Sequence, residues 1–139
     1  MPKVGDVFRV EKEYTSTGNN AKQRWFIYLG KVSVFQNPQN IFLCTTTTNL
    51  SLYSDLPKNT IVYFSQGNGL FTENCLIYLK TIKTEFTQEK FDEYDPIFKG
   101  NIGKDKLHEI ITKLKTAGIA QRLLQDILNS YRLDGIPTD

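Results

Sequence analysis

Two short stretches of the sequence carry side chains that together suit phosphate chemistry. In "NAKQRW", residues 20–25, Lys22, Gln23 and Arg24 stand at the entrance of a strongly apolar segment. Arginine presents a planar fork of N–H donors that matches a phosphate. In "IFLCTTTT", residues 41–48, an apolar run meets four consecutive threonines, Thr45 to Thr48. A threonine hydroxyl within reach of Arg24 would let the pair hold a phosphate and stabilise charge building on it. That arrangement suits RNA cleavage, in which the substrate's own 2′-hydroxyl is the nucleophile and no metal is needed. The plainer alternative is a solvated arginine at a strand edge and β-branched strand filler. Alternation limits the choice: Thr45 and Thr47 share the face of Ile41 and Leu43, and Thr46 and Thr48 share the other.

Other chemistries have little to draw on. His108 is the single histidine, Cys44 and Cys75 both lie in apolar runs, and the three show no metal-ligand spacing. Both cysteines read as reduced core thiols, and no cofactor or metal is expected. No phosphate-binding Gly-rich loop precedes a helix, and neither GxSxG nor HExxH occurs. The GxG of "QGNGLF" sits between β-prone runs and reads as a hairpin turn.

The candidate residues belong to a β-rich stretch. Residues 5–14, 24–35, 41–48, 59–65 and 73–86 are short, β-branched or aromatic runs separated by turn signals such as "NPQN" and "GNG". Their spacing predicts a small barrel or sandwich. The last third is helical in pattern. Thr87 is placed to cap a short helix stopped by Pro96. Leu107, Ile110, Ile111 and Leu114 recur at i, i+3, i+4, i+7, and Ile119, Leu123, Ile127, Leu128 and Tyr131 form a second apolar face. Gly118 separates the two, which together resemble an αα-hairpin. The expected architecture is a single α+β domain, mostly β: a β-barrel core over 1–86 and a helical C-terminal extension over 87–139.

A chain of 139 residues, 40% hydrophobic, is long enough for one real core. Its net charge of +2 permits a nucleic-acid partner without demanding one. No signal-like or membrane-spanning apolar run is present, so a soluble cytoplasmic protein is expected.

In order, these segments resemble the MazF/PemK family of toxin endoribonucleases from bacterial toxin–antitoxin pairs. "VGDVFRV" matches the family's opening strand, and "TSTGNNAKQR" its polar loop ending in Arg before the apolar strand "WFIYLG". "IFLCTTTT" matches a buried strand ending in Thr, "LPKNTIVYF" an "LP…V" segment, and "GLFTENCLIYLKTIKTEF" the last strand region. The resemblance covers residues 4–86. It implies an SH3-like barrel, commonly a homodimer, that cuts single-stranded RNA without metal and leaves a cyclic phosphate. An antitoxin normally blocks its RNA groove. By the same resemblance Arg24 matches the catalytic arginine, and Thr47, with Thr48 as its rival, matches the catalytic threonine. Lys22, Gln23 and Tyr78 are the candidate substrate-binding residues. Three features depart from the family. Trp25 stands where Pro is frequent, Ile77-Tyr78 where a Glu-Gln pair is frequent, and the tail is longer and more helical.

A second reading is a non-catalytic SH3-like barrel that binds RNA or a protein partner. In it, Trp25, Tyr28, Phe35 and Tyr63 would face partly outward as a stacking platform.

Overall fold

A computed structural model describes residues 1–11, 24–34, 38–67 and 70–139. Its strands are β1 (Asp6–Val10), β2 (Arg24–Lys31), β3 (Ile41–Thr47), β4 (Ile61–Phe64), β5 (Cys75–Tyr78) and β6 (Ile97–Asn101). Its helices are α1 (Gln88–Asp92), α2 (Lys104–Leu114) and α3 (Gln121–Leu133). The strands form one antiparallel sheet in the order β4-β5-β3-β2-β1-β6. This is an α+β fold in which helix (32%) and strand (30%) are nearly equal, rather than a mostly β one.

The segment after residue 86 is not helical throughout. "IFKGN" returns to the sheet as β6 and pairs with β1, Phe8 opposite Phe98 and Asp6 opposite Asn101. The helices close over the same core, a single cluster that holds Val7, Ile27 and Leu43 together with Leu107, Ile111 and Ile127. Thr87 caps α1 as the sequence predicts, its hydroxyl accepting from the Lys90 N–H. That helix drops Phe91 among Phe8, Phe26 and Phe86, with ring centroids 5.3–6.2 Å away. The edge contacts among these rings favour one arrangement of the layer.

Helix α2 buries Leu107, Ile110, Ile111 and Leu114, the four positions of the predicted stripe. Its polar flank covers β4: Lys106 Nζ donates to Tyr63 O (2.6 Å) and Lys113 Nζ to Ile61 O (2.8 Å). Glu109 sits between the two lysines at 3.2 and 3.0 Å. Partial burial raises the pKa of that carboxyl, but the hydrogen bonds from Lys113 and Lys106 outweigh it and leave the net value lowered.

Helix α3 docks on β2 through a polar seam. Ser130 Oγ accepts from Lys31 N (3.0 Å) and donates to Asp126 O (3.0 Å), and Asp126 Oδ1 accepts from Ser33 Oγ (2.5 Å). Gly30, at φ +136°, lets the helix come this close, since a Cβ there would lie 2.3 Å from Ser130 Oγ. Tyr131, fully buried, ties α3 to α2 by donating to Leu107 O at 2.8 Å. The N-terminal end is fixed by Val4 N donating to Asp134 Oδ2 at 2.7 Å. Among the described residues no helix is long and apolar enough to cross a membrane.

Strand β3 changes partner along its length. Its first half bonds to the chain after β5, with Leu43 and Lys83 exchanging both backbone hydrogen bonds (3.0 and 2.8 Å). Its second half pairs with β5, Thr46 opposite Ile77 and Thr47 opposite Leu76. A single 3-10 turn at Leu79–Thr81 redirects the chain between the two. The threonines thereby come at the end of β3, where it pairs with β5 at the rim of the sheet.

Candidate functional site

At that rim lies an open groove of about 520 Å³. Arg24 is the first residue of β2 and Thr47 the last of β3, so the antiparallel strands bring both to the same end of the sheet. The β2–β3 ladder runs in one register through Tyr28–Leu43, Ile27–Cys44 and Phe26–Thr45. Continued by two residues, that register sets Arg24 level with Thr47 and Trp25 level with Thr46. Residues opposite one another in an antiparallel pair share a face. Arg24 and Thr47 both line the groove, and the continued register would put their side chains on the same side. Both are half-buried.

Register separates the two threonine candidates. Thr48 also lines the groove but lies one residue beyond β3, exposed and out of alternation with Arg24. Thr47 is further ordered by its own turn, its Oγ1 accepting from Asn49 N at 3.2 Å. That bond occupies a lone pair and leaves the hydroxyl proton to be donated. Thr47→Ala is expected to slow any phosphodiester cleavage about a hundredfold, and Thr47→Ser and Thr48→Ala by less than tenfold. Equal losses in Thr47→Ala and Thr48→Ala, measured on the same RNA, would refute this assignment.

The groove wraps over the strand ends, so the other face contributes as well. Trp25, Thr46 and Cys75 come from it, and Phe71, Thr72 and Glu73 form the far wall. This wall was missed in the sequence because the strand there is read from Glu73, over 73–86, with Phe71 and Thr72 left before it. Of residues 71–75 only Cys75 enters β5, and Asn74 instead ties the turn by accepting from Gln66 N at 2.7 Å.

Cys75 borders the groove as a thiol that burial keeps protonated. Burial, and then the nearby Glu73 charge, push its thiol up to about 11, against a smaller opposing hydrogen bond from Thr46. Burial alone lifts Cys44 to about 12. Both cysteines are free and buried. Burial first, then Asp134 and Asp6, raise Tyr28 to about 12. These folded-state values lie above the unfolded ones, so the stability they contribute is complete below pH 9 and is lost as pH rises toward 11–12. The urea midpoint is accordingly expected to fall between pH 7 and pH 10.5, and less steeply in Cys44→Ala. An unchanged midpoint would contradict the buried protonated thiols.

The other sequence candidates lie elsewhere. Tyr78 does not line the groove, and its ring rests against Tyr53 with centroids 5.5 Å apart. Lys22, Gln23 and Phe35 fall outside the described residues. Of the proposed stacking aromatics, Tyr28 is buried, Tyr63 is exposed with Lys58 Nζ 5.9 Å from its ring centroid, and Trp25 is half-buried at the groove. His108 is on the exposed flank of α2, its Nε2 2.9 Å from Asp139 O. Among the described residues no three His, Cys, Asp or Glu side chains gather as a metal site would require. No protein-family model matches the chain, and no curated protein matches it in sequence.

Proposed function

We propose that the chain is a metal-independent endoribonuclease that cuts single-stranded RNA, of the MazF/PemK toxin kind. The observation that carries the reading is that Arg24 and Thr47 line one open polar groove, at the end of the sheet where β2 begins and β3 ends. In it, the guanidinium of Arg24 grips the scissile phosphate and offsets the charge that develops on its non-bridging oxygens. The hydroxyl of Thr47 donates to one of those oxygens. The 2′-hydroxyl of the substrate gives up its proton to water as its oxygen attacks the phosphorus, and the P–O5′ bond breaks with the leaving 5′-oxygen taking a proton from water, giving a 2′,3′-cyclic phosphate and a 5′-hydroxyl. The chain's part is positioning and electrostatic stabilisation.

An SH3-like barrel is the finer fold reading. Its support is that residues at the ends of the two outermost strands of the sheet, Phe64 and Ser65 at β4 and Asn101 and Ile102 at β6, line one small cavity of about 120 Å³. Homodimerisation, an antitoxin partner that occupies the groove and a cytoplasmic site of action follow from the family resemblance and belong to the same proposal. The second reading, a barrel that binds RNA or a protein without cutting, draws support from the aromatic ring at the groove. The test is incubation of purified protein with a varied single-stranded RNA in EDTA, followed by end-group analysis. Cyclic-phosphate ends, lost when a single 2′-deoxy residue replaces the attacking nucleotide, are expected. An intact RNA pool that the protein still binds would leave the binding-module reading in its place.

A further inference from the structure

We propose that Trp25 is a stacking platform for the nucleobase beside the phosphate held at Arg24, a subsite that rests on the RNA-cleaving reading above. Trp25 is the only tryptophan in the chain and lines the groove directly next to Arg24. The two leave β2 on opposite sides, and the groove passes over the strand end to reach both. A nucleic-acid strand crossing this rim meets a phosphate-binding fork on one side and an aromatic face on the other.

The ring is held before any ligand arrives. Phe71 packs against it with centroids 5.6 Å apart and planes at 55°, and Phe64 backs Phe71 at 5.1 Å. The Arg9 guanidinium lies 5.9 Å from the indole centroid and is itself steadied by Glu11 at 2.9 Å. A ring fixed in this way loses little conformational freedom on binding, which favours stacking over adaptive contact. The rest of the groove lining is predominantly polar, with Thr46, Thr47, Thr48, Asn49, Thr72 and Glu73, so the indole is the natural place for a base to leave water. Stacking accepts any base, so Trp25 adds affinity and position without dictating sequence.

The lone tryptophan is its own reporter. The probe is a single-stranded hexanucleotide of mixed sequence with every 2′-oxygen methylated so that it resists cutting, with an abasic chain of equal length beside it. The base-bearing strand is expected to quench Trp25 emission by about half, saturating at the same concentration as its binding measured by anisotropy. The abasic chain should bind about tenfold more weakly and leave the emission unchanged. Trp25→Phe should keep affinity within about threefold, and Trp25→Leu, with its fold checked by circular dichroism, should lose about tenfold. Binding of the hexanucleotide without quenching, or equal binding of the abasic chain, overturns the platform and leaves the cleavage proposal standing. Failure of both strands to bind overturns both proposals. The emission measurement needs no variant, so a poorly folded Trp25→Leu does not blunt it.

Discussion

Arg24→Ala is expected to reduce RNA cleavage by about a hundredfold to a thousandfold, the range over which a single preorganised charge-stabilising donor acts. Stability should change by less than about 1 kcal/mol, because Arg24 is half-buried at the first residue of a strand and is not part of the core. Arg24→Lys restores a positive charge but not the planar pair of donors, so it should recover only part of the loss. The measurement is a single-turnover rate on a fixed RNA, with thermal unfolding recorded on the same samples. Wild-type rates in Arg24→Ala, with cyclic-phosphate products, would remove Arg24 from the mechanism. A loss of rate accompanied by a large drop in unfolding temperature would instead assign it a structural role.

The largest stability effect is expected at Gly30. Its φ of +136° is strained for any L side chain, and a Cβ would lie 2.3 Å from Ser130 Oγ and 2.4 Å from Ser130 Cβ. Gly30→Ala must therefore push α3 away from β2 and break the seam that joins Ser130 to Lys31 and Asp126 to Ser33. Overpacking and backbone strain together give about 3–5 kcal/mol, enough to lower the unfolding temperature by roughly 10 °C or more. Ser130→Gly on that background should recover the steric part and not the strain. The urea midpoints of the single and double variants resolve the two contributions. A loss below about 1 kcal/mol in Gly30→Ala would show that the seam is not tightly packed.

The sequence made part of this architecture legible and hid the rest for physical reasons. Helix α2 was readable because its four buried residues repeat with the helical period. The buried face of α3 was readable only in part, since Asp126 and Ser130 are buried polar residues whose partners lie on β2 and in the residues after it. Strand β6 was missed because Ile97 and Phe98 are exposed (39% and 60%) and Gly100 interrupts the run. Its membership of the sheet rests on backbone pairing with β1, which leaves no local hydrophobic pattern. Arg24 and the threonine run could be found from residue type. The preference for Thr47 over Thr48 came from the family resemblance; a physical ground for it lies in the β2–β3 register, a relation between distant segments that one-dimensional spacing does not encode.

The pairing of β1 with β6 also constrains when the protein can fold. Val7 and Phe8 wait for partners at Gly100 and Phe98, and Val4 for Asp134. During synthesis, roughly ninety residues separate the emergence of β1 from that of β6, or about five to twenty seconds at ribosomal speed. For that time the outer edge of β1 is an open template with Phe8 beside it, the state most prone to pairing with a foreign strand. High sequence separation of this kind also slows spontaneous folding. The nascent chain thus exposes an unpaired strand edge beside Phe8 well before its groove is complete.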